Sequence, residues 1–347
     1  MKARQLLQFF GRSAALGLIV AAMVLLAMPW LNQHGQPQTN QAPVSFADAV
    51  NRAAPAVVNI YSVGEVRDSF FNPRPTTVWR LGSGVIMNSR GYILTAYHVV
   101  TDVDQIQIAL QDGRRYGAQL VGSDRYTDLA VLKIDADNLP VIPQSDNLNP
   151  RVGDVVLAIG NPYNLGQTIT QGIISATGGR IGVSNSYSDL IQMDAVINEG
   201  ASGGALINSN GVLVGINNAS YNSLTGEGGE GIYFAVPGTN AKRVMQKIIT
   251  DGAVIRGYLG INVGDSLNSQ RPLPGITVTE VAPGSPAAQA GLKVDDFIIE
   301  FDGKSVSTPA EGLDLVANST PGTVLTIRFY RGEELRTVDA VIGKLPE

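Results

Sequence analysis

Short apolar runs separated by glycine-rich turns fill most of the chain from residue 45 onward. Gln105–Leu110 alternates polar and apolar positions, which is typical of a half-exposed strand, and Asp112-Gly113 is a hairpin signal. Regularly spaced strands without helical crossovers indicate antiparallel barrels or sandwiches. The predicted strands of this part are Ala56–Tyr61, Gly82–Asn88, Tyr92–Ala96, Gln105–Leu110, Tyr116–Val121, Leu129–Ile134, Val155–Ile159, Thr168–Ala176, Leu190–Ile197, Ala205–Ile207, Val212–Asn217 and Ile232–Ala235.

Two other patterns complete this part of the chain. Gly64–Arg80 contains polar residues and two prolines, so it is predicted to be a surface loop. Pro237–Thr250 places its apolar residues on one face, which predicts an amphipathic helix that ends the domain. Residues 45–252 are therefore predicted to form one mainly β domain.

A second, smaller domain is predicted for residues 253–347. Ser285-Pro286 opens a short helix that ends at Gly291, because proline suits the first helical turn and glycine the position after the end. A second helix is predicted over Pro309–Asn318. The predicted strands are Gly275–Val281, Phe297–Phe301, Val324–Tyr330 and Arg336–Ile342.

The N-terminal pattern indicates a membrane segment. Residues 13–31 are apolar apart from Ser13, and about 19 residues give a helix of about 28 Å, close to a hydrocarbon core of about 30 Å. A cleaved signal peptide is the alternative, but its apolar region is usually shorter, and Ala27-Met28-Pro29-Trp30 is a poor cleavage site. Basic residues within 1–12 place that end in the cytoplasm and the rest outside. Residues 32–44 are predicted to be a flexible linker.

Composition limits the chemistry that the chain can perform. The net charge is −5, which argues against a nucleic-acid surface. Without cysteine there is neither a disulfide nor a thiolate metal site. Only two histidines, His34 and His98, are present, which excludes a zinc site built on several histidines. No cofactor or metal is predicted.

Three polar residues near predicted strand ends could form a catalytic set. Ser202 lies in the glycine-rich turn Asn198–Gly204, where a substrate carbonyl could approach and backbone N–H groups could bind an oxyanion. His98 follows the strand Tyr92–Ala96, and Asp128 precedes an apolar strand. Each has an ordinary structural interpretation on its own. Together they supply a nucleophile, a base and a residue that orients the base.

Longer motifs in the same order carry a family resemblance. They are Gly82-Ser83-Gly84-Val85-Ile86, Leu94-Thr95 with His98-Val99-Val100, Thr127-Asp128-Leu129-Ala130-Val131-Leu132-Lys133, Ala158–Thr168 and Ser202-Gly203-Gly204-Ala205-Leu206. On these motifs the chain resembles the HtrA family of chymotrypsin-fold serine proteases over essentially its whole length, and within it the membrane-anchored type. The resemblance implies a double β-barrel protease domain followed by one α+β PDZ domain, behind an N-terminal transmembrane helix.

The resemblance assigns roles to the catalytic set. His98 would act as general base toward Ser202, and Asp128 would orient the imidazole. The backbone N–H groups of Gly200 and Ser202 would form the oxyanion hole. One position departs from the family motif, because Ala201 stands where the family has asparagine. Either alanine is tolerated, since the oxyanion donors are backbone groups, or the Gly200 peptide is held less well and the enzyme depends more on activation.

The resemblance also implies a sensor function. In the PDZ domain, Tyr258-Leu259-Gly260-Ile261 would bind a C-terminal carboxylate, and the helix Pro309–Asn318 would form the other wall through Leu313, with Val316 and Ala317 as further candidates. C-terminal peptides of unassembled outer-membrane porins would bind there and relieve inhibition. The protease would then cut the periplasmic part of an anti-sigma factor of the RseA type. The relay would pass through Arg180 in the loop 180–189, with further activation loops around Gly166, Asn198–Ala201 and Ser220–Glu230.

Three further expectations accompany this interpretation. The chain is predicted to lie in a bacterial inner membrane with both domains in the periplasm, and to form a homotrimer with Phe46 and neighbouring apolar residues as contacts. One rival is a general quality-control protease of the same family. Another is a non-enzymatic PDZ adaptor whose protease fold is inert through Ala201, against which the intact set of His98, Asp128 and Ser202 argues.

Overall fold

A computed structural model describes residues 2–34, 45–66, 76–178, 190–220, 231–265 and 274–346. The chain divides into two compact units, Met1–Ser45 and Phe46–Glu347. In the first unit, α1 (Lys2–His34) is a single helix of 33 residues. Its segment Gly11–Met28 has a mean hydropathy of 1.9, so α1 is long and apolar enough to cross a membrane, a test that a signal sequence also passes.

The first β region of the second unit is a seven-stranded antiparallel sheet in the order β5-β4-β1-β2-β3-β7-β6. Its central strands are buried on both faces, because Leu94, Leu129 and Val131 pack in one apolar cluster and the alternate residues Ile93, Ala130 and Leu132 pack in another. Two short helices, α2 (Ala47–Ala53) and α3 (Tyr97–Val100), and the 3₁₀ turn Ala54–Ala56 accompany it. The strands are β1 (Val57–Val66), β2 (Thr76–Ile86), β3 (Tyr92–Ala96), β4 (Gln105–Ala109), β5 (Arg115–Gly117), β6 (Gln119–Asp124) and β7 (Leu129–Lys133).

The predicted loop Gly64–Arg80 is partly wrong. β1 continues to Val66 and β2 begins at Thr76, with Val66 opposite Thr76 in the register, so both ends of that segment are strand. The sequence hides this because the segment contains polar residues and two prolines, and its apolar residue Trp79 is 69% exposed. Residues 67–75 lie outside the described part of the chain.

The second β region closes into a six-stranded barrel in the order β10-β13-β12-β11-β8-β9. The helix α4 (Gly238–Asp251) follows and buries Ala241, Val244, Met245 and Ile248, the face predicted from the sequence. Gly252, at φ +77°, ends it in the left-handed conformation that glycine adopts readily. The strands are β8 (Val155–Gly160), β9 (Thr168–Ala176), β10 (Ile191–Met193), β11 (Ala205–Asn208), β12 (Leu213–Ser220) and β13 (Tyr233–Pro237).

The C-terminal region has its own apolar core, which includes Leu259, Ile276, Phe301 and Phe329. Its helices are α5 (Pro286–Gln289), with Ser285 Oγ accepting from Ala288 N–H at the start, and α6 (Pro309–Asn318), as predicted. The two-stranded and larger antiparallel sheets comprise β14 (Gly257–Tyr258), β15 (Ile261–Asp265), β16 (Ile276–Val281), β17 (Phe297–Phe301), β18 (Lys304–Ser305), β19 (Val324–Arg331), β20 (Glu334–Val341) and β21 (Gly343–Lys344).

Candidate active site

His98 and Asp128 come together because the strands that precede and follow them are paired. Ala96, the last residue of β3, lies opposite Leu129, the first residue of β7. His98 Nδ1 is 2.6 Å from Asp128 Oδ2, and the His98 backbone N–H donates to Oδ1 at 3.0 Å. The carboxylate therefore fixes the imidazole through the ring and through the main chain. With Nδ1 as the donor, Nε2 is left as the proton acceptor, which is the tautomer that a general base requires.

Each peptide group of the nucleophile loop, Asn198–Gly204, has a defined orientation. The Glu199 carbonyl accepts from Tyr163 N–H at 2.9 Å, and the Ala201 N–H donates to Asn198 O at 2.9 Å. In a trans peptide the C=O and the following N–H point in opposite directions. Because the Glu199 carbonyl is turned toward Tyr163, the Gly200 N–H points away from that contact.

Four backbone N–H groups of this loop have no acceptor among the described residues. They are those of Asn198, Glu199, Gly200 and Ser202, whereas the N–H groups of Ala201, Gly203 and Gly204 all donate within the protein. Gly200 has φ +93°, a conformation that favours glycine. Among these free donors, Gly200 and Ser202 are the pair that the sequence predicts for an oxyanion hole.

Ser202 is held beside the strand that leads to His98. Its carbonyl accepts from Ser83 N–H at 2.9 Å. Gly203 packs so closely on β2 and β3 that a Cβ there would lie 2.4 Å from Thr95 Oγ1 and 2.8 Å from Ala96 N. No hydrogen bond between described residues joins Ser202 Oγ to His98 Nε2. Such contacts are often long in a protease without substrate and shorten in the complex.

Ala201 faces the barrel interior and not the catalytic side chains. It is 7% exposed and belongs to the apolar cluster of the second barrel. A Cβ on Gly160 would lie 2.7 Å from Ala201 Cβ, so the two backbones are closely packed. The hydrogen bonds that orient the Gly200 peptide involve Ser83 and the Tyr163 N–H, and none uses the side chain at position 201.

A groove in the C-terminal region lies where the sequence predicts peptide binding. Tyr258, Leu259, Gly260 and Ile261 line it together with Leu313, and its cavity volume is about 200 Å³. The N–H groups of Leu259 and Gly260 have no acceptor among the described residues, while both carbonyls are bonded, to Ala287 N–H and Ala282 N–H. The loop thus presents two free donors to the groove, as a carboxylate requires.

The remaining predicted groove and relay residues are placed differently. Val316 lines the groove and is also 8% exposed in the core. Ala317 does not line the groove and instead borders a cleft against α4. Arg180 lies outside the described residues, as do 179–189 and 221–230. Gly166 is described, and its N–H donates to Asn161 Oδ1 at 2.9 Å.

Comparisons with known proteins cover both of these regions of the chain. Residues 82–216 match the trypsin-like peptidase domain, and residues 257–342 match the PDZ domain. The serine endoprotease DegS of Escherichia coli K12 is 51% identical over 96% of this chain and 98% of its own length. DegS of Haemophilus influenzae is 45% identical over 96% of this chain and 97% of its own. The HtrA-type protease AlgW with a tripeptide superposes with a TM-score of 0.78 at 44% identity, covering 88% of this chain and 98% of that one.

The chain belongs to the HtrA family of serine endoproteases. A solved serine endoprotease from Yersinia pestis is also similar, with a TM-score of 0.70 and 49% identity over 88% of this chain and all of that one. The predicted family, the trypsin-like and PDZ architecture and the endopeptidase activity are thereby confirmed. The catalytic and peptide-binding residues stay predictions that the described geometry accommodates.

Several residues at this HtrA site carry no assignment from the sequence. Ser83 stands in the motif Gly82-Ser83-Gly84, but nothing in that motif indicates its bond to Gly200, 117 positions away. Tyr163 acts through its backbone N–H, which no side-chain pattern indicates. A serine between two glycines inside a strand is the only signal, since small residues in a strand often mark a close approach of backbone.

Proposed function

We propose that this HtrA protease is an envelope-stress sensor of the inner membrane that cleaves an anti-sigma factor when porin C-terminal peptides bind its PDZ groove. The catalytic part of the proposal is carried by the carboxylate-bound imidazole of His98 and the two free donors at Gly200 and Ser202. The sensor part is supported by a groove with two free N–H groups and by relatives named DegS. Residues 13–31 would hold both domains at the outer face of that membrane.

The proposed chemistry gives each group of the site a defined role. Ser202 Oγ attacks the scissile carbonyl while His98 Nε2 takes its proton, and His98 later gives that proton to the leaving amine. Asp128 stabilises the imidazolium that forms in between. The negative oxygen of the tetrahedral intermediate accepts from the Gly200 and Ser202 N–H groups, and removing one such donor typically lowers kcat by about 10²–10³-fold.

A buried ion pair supports communication between the groove and the catalytic region. Arg256 precedes β14 directly, and its Nη1 donates to Asp124 Oδ1 at 2.6 Å, with a second contact from Nη2 to Oδ2. Thr127 Oγ1 also donates to Asp124, at 2.6 Å. Asp128 is the next residue. A peptide that alters the position of Tyr258 can therefore act on the catalytic carboxylate through a short chain of contacts, provided that it binds the active arrangement more tightly.

The test is cleavage of the periplasmic domain of an anti-sigma factor by the full chain, with and without a porin C-terminal peptide. The peptide should raise the rate, and the same peptide with an amidated C-terminus should not, because it lacks the carboxylate. Ser202→Ala should lower cleavage by about six orders of magnitude. Cleavage that persists in purified Ser202→Ala would refute the catalytic assignment. Equal rates with the acid and the amide would refute the proposed sensor mechanism.

A general quality-control protease is the second candidate, favoured by relatives named periplasmic and DegP-like. One of them, from Chlamydia trachomatis, is 38% identical over 76% of this chain and 54% of its own length. That function predicts rapid degradation of an unfolded protein without any peptide. The sensor function predicts a low rate on the same substrate and a large rise when the peptide is added.

A further inference from the structure

The hydroxyl of Ser83 joins two loops beside the nucleophile. Ser83 Oγ donates to the Gly200 carbonyl at 2.8 Å and accepts from the Asn161 N–H at 2.9 Å. Its N–H donates to Ser202 O at 2.9 Å, and its carbonyl accepts from Thr95 Oγ1 at 2.7 Å. Every polar atom of Ser83 is thus bonded, and three of these bonds go to the nucleophile loop or to the loop that packs on it.

Ser83 is fully buried, at 0% exposure, and its backbone N–H is bonded to Ser202 of the candidate active site. The neighbouring Gly82 and Gly84 face the other side of β2, because a Cβ on Gly82 would lie 2.4 Å from Val99 and one on Gly84 would lie 2.8 Å from Ile93. The alternation along the strand therefore aims the Ser83 side chain alone at Gly200. Because Ser83 is fully buried, solvent does not compete with its hydroxyl for these hydrogen bonds.

We propose that Ser83 is a positioning residue that holds the oxyanion hole in its active conformation; the inference rests on the proposed role of the Gly200 and Ser202 N–H groups. Glycine at φ +93° has little intrinsic preference for the orientation of its flanking peptides. The peptide before Gly200 is held by Tyr163 N–H and the peptide after it by Ser83 Oγ. Without Ser83, the Gly200–Ala201 peptide keeps only the bond from Ala201 N–H to Asn198 O.

The second bond of the hydroxyl extends the same effect to the other peptide. Asn161 donates its backbone N–H to Ser83 Oγ, and its side-chain Oδ1 accepts from Gly166 N–H. Tyr163, two residues further on, supplies the N–H that holds the Glu199 carbonyl. One hydroxyl therefore fixes both anchors of Gly200, directly through its carbonyl and indirectly through the loop that carries Tyr163.

Ser83→Ala in the full-length protein tests this role. One peptide of Gly200 loses its anchor, and the loop that carries the other anchor loses its bond to Ser83. We therefore expect kcat to fall by about 10–100-fold, less than for loss of a donor itself, while KM changes by less than about twofold. The Ki of a peptide aldehyde, whose hemiacetal oxygen occupies the oxyanion hole, should rise in parallel with the loss of kcat. Both should be measured with and without the activating peptide, so that a change in activation is seen separately.

Ser62→Ala is the matched control. Ser62 is also fully buried in the same sheet, but its Oγ has no hydrogen-bond partner among the described residues. It lies opposite Arg80 in the register and therefore on the other face of the sheet from Ser83. Removing an unpaired buried hydroxyl should leave kcat and the aldehyde Ki unchanged. Ser83→Cys is the second variant, because sulfur keeps the shape and is a weak donor and acceptor. Ser83→Cys provides the test if Ser83→Ala does not fold. It should lower kcat and raise the aldehyde Ki, each by a smaller factor than in Ser83→Ala.

The outcomes separate the two proposals. Activity in Ser202→Ala would refute the proposed catalytic site itself. If Ser202→Ala is inactive while Ser83→Ala and Ser83→Cys match Ser62→Ala in kcat and aldehyde Ki, only the role of Ser83 is wrong. A loss of kcat with an unchanged aldehyde Ki would likewise overturn it, because a general loss of folded enzyme lowers the apparent rate without weakening the transition-state analogue.

Discussion

Asp128 combines a catalytic contact with an unusual backbone. Its φ is +52°, in the left-handed region that aspartate tolerates better than most residues. The turn lets its carbonyl accept from Tyr97 N–H while its two carboxylate oxygens take the N–H and the ring of His98. Position 128 therefore needs a residue that tolerates a positive φ and that also carries a carboxylate.

Ala201→Asn tests whether the departure from the family motif affects the enzyme. The peptides around Gly200 are oriented by bonds to Ser83 and Tyr163 that do not involve the side chain at 201. We expect the peptide-free and peptide-activated rates each to stay within about twofold of the parent. Unfolding should become easier, because a position that is 7% exposed must accommodate an amide. A rise in the peptide-free rate alone would favour the alternative, that alanine leaves the oxyanion hole less well held.

At the level of elements, the nucleophile loop is positioned by its packing on β2 and β3. Gly203→Ala should abolish cleavage, because at φ +82° the new Cβ would lie 2.2 Å from Ser83 O and must displace the loop. The free energy of unfolding should fall by about 3 kcal/mol or more. Cleavage is measured by peptide hydrolysis, and the free energy of unfolding by denaturant unfolding of the same preparation.

Gly113→Ala provides the control for that prediction. Gly113 has φ +91°, but a Cβ there meets no atom of the described residues within 4 Å, so only the backbone penalty of about 1–2 kcal/mol applies. Its activity should equal that of the parent. If both variants lose activity equally, positive φ and not the packing of the nucleophile loop explains the loss.

Strongly patterned elements could be predicted from the sequence, and the others could not. α4 and α6 follow from their apolar faces and end residues, with bounds within a residue of those observed. The ends of β1 and β2 are not predicted, because Gly64–Arg80 combines polar residues and two prolines with an apolar residue, Trp79, that is 69% exposed. The predicted catalytic residues stand in recognisable motifs, whereas the bonds of Ser83 depend on which backbone the fold brings opposite, and a linear pattern does not contain that information.

On the scale of the whole molecule, a buried ion pair joins the protease and PDZ parts. Asp124 and Arg256 are 4% and 7% exposed. Arg256 also lies over the Tyr126 ring at 5.5 Å, and Tyr126 Oη donates to Pro346 O at 2.9 Å. A buried pair of this kind adds little net stability over apolar packing but makes its loss costly, because one charge then remains buried and unpaired. The pair can therefore stabilise one arrangement of the protease and PDZ parts relative to another.

Arg256→Gln should raise cleavage without peptide and reduce the further stimulation that peptide produces. If the ion pair stabilises the resting arrangement, its loss shifts the equilibrium toward the active one, and a coupling of ordinary size corresponds to at least about a fivefold change. Arg331→Gln is the matched control, since Arg331 forms a bidentate pair with Asp296, 0% exposed, within the PDZ part. Both variants should unfold more easily, but only Arg256→Gln should change the peptide-free rate. An equal change in the peptide-free rate of both variants would mean that the stability of the PDZ part, and not this contact, controls the protease. A fall in the peptide-free rate of Arg256→Gln would show that the ion pair stabilises the active state.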